Sequence, residues 1–73
     1  MARTEITATV TGSVWEVPVS VGDSVLGGDE LVVAEAMKME IAIAATVSGK
    51  VVELRVAKDD EFEEGAVIAV IES

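Results

Sequence analysis

Apolar and polar residues alternate with a period of two along most of this chain. Ile6, Ala8 and Val10 are separated by Thr7 and Thr9, and Met39, Ile41 and Ile43 by Glu40 and Ala42. Trp15, Val17 and Val19 alternate with Glu16, Pro18 and Ser20, and Val52, Leu54 and Val56 with Glu53 and Arg55. Short alternating runs rich in Val and Ile, broken by Gly and Asp, predict half-buried β-strands. The alternation predicts that Trp15 is partly buried with Val17 and Val19 behind it, and that Pro18 marks an edge or a bulge. Ala34–Met39 contains good helix formers. Its flanks, Leu31–Ala34 and Met39–Ile43, are pleat-like and outweigh that preference, so no helix is predicted.

The pattern also repeats. Displaced by 37 residues, Val10–Ala36 falls on Val47–Ser73, with identities at Val10/Val47, Gly12/Gly49, Val14/Val51, Glu16/Glu53, Val19/Val56, Asp23/Asp60, Gly28/Gly65, Val33/Val70 and Glu35/Glu72. Each half reads strand, turn, short strand, turn, strand. The turns are predicted at Gly22-Asp23 and Gly27-Gly28, then at Asp59-Asp60 and Gly65, where Gly supplies positive φ without a Cβ clash. One such half cannot bury its own apolar face, but two can bury each other as a small sandwich or flattened barrel. Phe62 takes the place of Val25 and is predicted to lie in that core. The whole of residues 1–73 is read as a single all-β domain.

Composition narrows the function. Fourteen acidic residues against five basic ones give a formal charge of −9, and the chain has no His and no Cys. Without Cys there is no disulfide framework, thiolate nucleophile or thiolate metal site. Without His there is no Ser-His-Asp triad and no imidazole base or ligand. Nucleic acid and anionic membranes demand a basic patch and are not expected partners. No run approaches the roughly 20 apolar residues of a spanning helix, and no export signal is visible, so a cytoplasmic location is expected. The run Asp59–Glu64 lacks the residue order of a calcium loop and reads as a solvated turn and edge strand.

One segment carries candidate chemistry. In Glu35-Ala36-Met37-Lys38-Met39-Glu40, two of the chain's three Met flank a single Lys, and Glu stands on either side. The strands around it make this a tight hairpin with Lys38 in the turn. A hairpin tip carries its side chain into solvent, and Lys adds a flexible stem ending in a primary amine. Reach, mobility and an acylatable nitrogen are what a covalent prosthetic arm requires. Met is polarizable and adaptable against a partner. Glu35 and Glu40 rim an exposed turn and read as solvated carboxylates rather than an acid–base pair.

Glu35-Ala36-Met37-Lys38-Met39 resembles the biotin-attachment motif of biotinyl domains, the carboxyl carriers of biotin-dependent carboxylases and decarboxylases. Val21-Gly22-Asp23-Ser24-Val25, Gly28-Asp29-Glu30-Leu31 and Val47-Ser48-Gly49-Lys50-Val51 resemble the family's flanking elements, so that almost the whole chain is covered. The resemblance implies a flattened β-barrel of two four-stranded antiparallel sheets with a pseudo-two-fold axis. It implies that Lys38 is biotinylated within a motif formed by Glu35, Ala36, Met37 and Met39. It further implies a biotin protein ligase that presents biotinyl-adenylate to the Lys38 amine, and biotin carboxylase and carboxyltransferase sites between which a monomeric, non-catalytic carrier moves carboxylate. Glu35 and Glu40 are implied in recognition by that ligase and exclusion of the lipoyl ligase. Thr9 and Thr46 stand where the family usually has Pro, and Asp59-Asp60 where it has Gly-Asp. The alternatives are a lipoyl or dual biotin/lipoyl carrier, with lipoate on Lys38, and an unmodified β-module that binds through its acidic surface.

Overall fold

The four alternating runs and the segments between them pair into eight strands in the computed structural model, which describes residues 2–73. In chain order they are β1 (Arg3–Thr7), β2 (Gly12–Glu16), β3 (Ser24–Val25), β4 (Glu30–Ala36), β5 (Met39–Ala44), β6 (Gly49–Leu54), β7 (Glu61–Phe62) and β8 (Val67–Glu72). Two four-stranded sheets result, ordered β1-β8-β6-β3 and β5-β4-β2-β7, with every pairing antiparallel. No helix forms among the described residues. The all-β reading and the two-sheet architecture therefore hold.

A 37-residue displacement turns one sheet into the other, and it reaches further than the sequence repeat suggested. β1 falls on β5, so Ile6 corresponds to Ile43 and Ala8 to Ala45, all four buried. The backbone bonds obey the same relation. Gly28 N–H donates to the Ala45 carbonyl as Gly65 N–H donates to that of Ala8, both at 2.8 Å. Gly27 N–H donates to Ser48 Oγ at 2.9 Å, and Glu64 N–H to Thr11 Oγ1 at 3.0 Å. Gly22 and Asp59 are equivalent and both left-handed, with φ of 100° and 75°. Asp is among the few side chains that tolerate that region. The carboxylates of Asp23, Asp29 and Asp60 each accept a hydrogen bond from the backbone N–H three residues earlier, at 2.8–2.9 Å.

The core lies between the sheets and is built from repeat-related pairs: Val14 with Val51, Val25 with Phe62, Leu31 with Ile68, and Ala34 with Ile71. Each large side chain buried there contributes about 1.5–3 kcal/mol. No polar or charged residue is buried among the described residues. Phe62 is in the core as its repeat position predicts.

The strands depart from simple alternation at four bulges. Register slips between Glu30 and Val32, and between Ile6 and Thr7 opposite the equivalent stretch of β8. An extra residue in a strand bends it and changes its phase, so Leu31-Val32 and Ile68-Ala69 are buried as consecutive residues. Slips between Val14 and Glu16, and between Val51 and Glu53, do the reverse. They correct the expectation for Trp15. Val14 is the buried residue, and Trp15 on the bulge points outward, 49% exposed. Val17, Val19, Leu54 and Val56 still pack against the core, but only Leu54 of these four lies within a strand. Pro18 follows the end of β2, outside the hydrogen-bonded ladder.

The molecule measures 37 × 20 × 18 Å. β6 begins beside Val25, and Lys50 pairs with both Ser24 and Glu72, while Gly28 joins Ala45. The end of β8 thus lies where β4 starts and β5 ends. The other end of the β4–β5 hairpin, about 20 Å along the strands at ~3.4 Å per residue, is its turn.

A left-handed hairpin tip presenting Lys38

β4 and β5 pair in register up to the turn, Glu35 opposite Glu40 and Ala36 opposite Met39. That leaves Met37 and Lys38 as a two-residue loop. Both have positive φ, 53° and 63°. This is the left-handed backbone of a type I′ turn, whose twist matches the flanking strands and whose usual occupants are Asn and Gly. Met and Lys occupy it against a cost of about 1–2 kcal/mol per residue for an L side chain. Local propensity does not account for these two residues at the turn.

The side chains of the motif divide at the turn. Ala36 is buried, whereas Met37 is 93% and Met39 64% exposed, with Lys38, Glu35 and Glu40 also exposed. Met39 begins the apolar face of β5 and is nonetheless left largely exposed there. The described residues contain two ion pairs, Arg3–Glu72 and Arg55–Glu53. Neither involves Lys38, so its amine is free to be acylated. Glu35 and Glu40 sit directly across from each other, a like-charge arrangement that disfavours pairing. The 37-residue displacement carries this pair onto Glu72 and Arg3, which form an ion pair at 3.1 Å. Opposite charges close one end of the molecule, and like charges flank the Lys at the other.

A residue not singled out for the site supports the tip from below. A Cβ on Gly12 would run into the Glu35 carbonyl oxygen and lie 3.0 Å from Ala36 Cβ. Only glycine lets β2 approach the stalk of the hairpin so closely. Its counterpart Gly49 stands in the same relation to Glu72. The identity of these two glycines in the repeat was the available signal. The five motif residues do come together at one tip, with Ala36 as its buried footing. No cluster of potential metal-binding side chains occurs among the described residues.

A family model described as "Biotin-requiring enzyme" matches residues 2–71. This chain belongs to the biotin/lipoyl attachment family. It is 45% identical to a biotinylated protein TB7.3 homolog of Mycobacterium leprae over 67 residues, which are 92% of this chain and 94% of that protein. It is 41% identical to a biotin/lipoyl attachment protein of Bacillus subtilis over 59 residues, 81% of each. Among solved structures, the urea carboxylase of Kluyveromyces lactis superposes with a TM-score of 0.92 at 36% identity, covering 99% of this chain and 6% of that one. The domain thus spans nearly all of one small relative and a small part of a much longer chain. Covalently attached biotin is the cofactor of this biotinyl domain.

Proposed function

We propose that Lys38 is the residue that carries biotin and that the domain works as a biotin carboxyl carrier. The observation that carries this reading is the Lys38 amine at the summit of a two-residue left-handed turn, outside both ion pairs and flanked by two exposed Met. When bound, biotin supplies a ureido nitrogen able to hold a carboxylate. This chain supplies the attachment and the reach. Lys38 Nζ attacks the acyl carbon of the biotinyl-adenylate that the ligase presents; the acyl–phosphate bond breaks, AMP leaves, and the nitrogen becomes an uncharged amide by giving up two protons. The chain has no His to receive them, so the base belongs to the biotin protein ligase. Met37 and Met39 provide adaptable apolar contact at the tip. The paired carboxylates of Glu35 and Glu40 provide the charge by which the ligase recognises it. Tethering then replaces free diffusion with a local concentration set by the reach of the arm, between biotin carboxylase and carboxyltransferase sites on partner components.

The test is intact-mass and peptide analysis after co-expression with a biotin ligase or a lipoyl ligase, alongside Lys38→Arg. A biotin-sized adduct is expected on the Lys38 peptide and is absent from the variant. An unmodified chain, with a ligase proven on a control domain, overturns the proposal. The family and the Bacillus subtilis relative both carry lipoyl in their names, and a lipoyl-sized adduct alone would assign the arm to lipoate instead.

A further inference from the structure

The outward turn of Trp15 leaves a large ring on the open face of the sheet that carries the hairpin. Trp15 lines a shallow groove of about 300 Å³ together with Glu16, Glu30, Val33, Glu40 and Ala42. Its repeat counterpart is Val52, which is less exposed and has no ring, so the other sheet offers no indole at the equivalent place. Val33 and Ala42 are cross-strand partners on β4 and β5, and Glu16 lies beside Val33. The floor is therefore apolar and the rim is made of carboxylates.

The groove is within reach of Lys38. Glu40 and Ala42 are two and four residues along the same strand, about 7 and 14 Å at ~3.4 Å per residue. A biotinyl arm puts eleven bonds, the amide included, between the Lys Cα and the bicyclic ring, about 14 Å fully extended. The chemistry also matches. The ring system has an apolar sulfur-containing half, suited to an indole face, and a ureido half with two N–H donors. Ionised carboxylates are acceptors only. The volume is at the lower bound for ligand pockets, which suits a ring that rests there and leaves again. Two larger depressions fit less well. One is formed by turns around Pro18 and Asp29, and the other lies over Phe62, whose ring is already buried.

We propose that the Trp15–Val33–Ala42 groove is a resting site for the ring of biotin carried on Lys38 of the same molecule, with Trp15 against its apolar half and the rim carboxylates accepting from its ureido N–H groups. This rests on biotin being attached at Lys38. Trp15 is the only Trp in the chain, so its emission reports on the groove alone. Protein with biotin confirmed on Lys38 by mass is compared with Lys38→Gln, which loses the charge without gaining a ring. Biotinylation should lower the acrylamide quenching constant of Trp15 at least twofold relative to Lys38→Gln. It should also shift the backbone amide signals of Val33 and Ala42, and Trp15→Val, the residue of the other half, should abolish those shifts. Equal quenching in the two proteins overturns the proposal, as do shifts centred on Ser13 and Phe62 or shifts that survive in Trp15→Val. An unmodified Lys38 overturns the attachment reading, and this one with it.

Discussion

Glu35 and Glu40 face each other across the base of the turn, where the same fold position at the other end is closed by Arg3 and Glu72. The difference is one residue, Glu40 in place of a cation. Glu40→Arg should convert the like-charge pair into an attractive one. It is expected to stabilise the domain by about 0.2–1 kcal/mol, seen as a higher urea midpoint, while slowing biotinylation in a ligase assay. A variant that is more stable and biotinylated at the original rate would show that the carboxylate pair plays no part in recognition. Lys38 was legible in the sequence because its neighbours are so particular: two Met and two Glu around one Lys. Trp15 and Gly12 were not. Alternation places Trp15 inward, and alternation fails wherever a strand takes an extra residue. Gly12 stands out in the sequence only as a repeat identity with Gly49. Its need for a bare Cα arises from an approach by β4 that no local pattern encodes.

The hairpin as an element gives up stability for presentation. Its turn places two L residues in the left-handed region, Met37 at φ 53° and Lys38 at 63°. Met37→Gly should relieve the first of these. The gain is offset by the entropy that Gly adds to the unfolded chain, about 0.5–1 kcal/mol, so a net stabilisation of about 0.5–1 kcal/mol is expected. That corresponds to a rise in Tm of a few degrees in calorimetry for a domain of this size. Ligation should slow, because the same change removes an exposed Met. An unchanged or lower Tm would mean that the turn is not strained by Met37. Four strands were legible in part from their apolar alternation, whereas the two-residue strands β3 and β7 and the unbroken apolar run of β8 show no alternation and were legible only through the repeat. The four register slips were not. A bulge is one residue long, and its cost and benefit are decided by the partner strand.

At the scale of the molecule, charge opposes the fold. Nine net negative charges are spread over 73 residues, and the two ion pairs among the described residues lie at the surface, where water and salt screen them and they add little. Self-repulsion should be the larger electrostatic influence. Raising NaCl from 10 mM to 0.5 M shortens the screening length severalfold, and the urea midpoint at pH 7 is expected to rise. A fall would mean that the ion pairs outweigh the repulsion. The global fold was readable because the second half restates the first. A half that cannot bury its own face implies a partner with the same face, and the 37-residue displacement names it.

That displacement has a consequence for connectivity. Ala2 and Ser73 exchange backbone hydrogen bonds at 3.1 and 2.9 Å, occupying the positions that Met39 and Ala36 hold at the hairpin. Ala2 and Ser73 therefore form the base of a second stalk, at the opposite end of the molecule from Lys38. Splicing Ser73 to Ala2 through Met-Lys would close it into a circle with two poles. The chain could then be cut at either pole without breaking a strand, and a two-armed carrier or a circular permutant lies one dipeptide away.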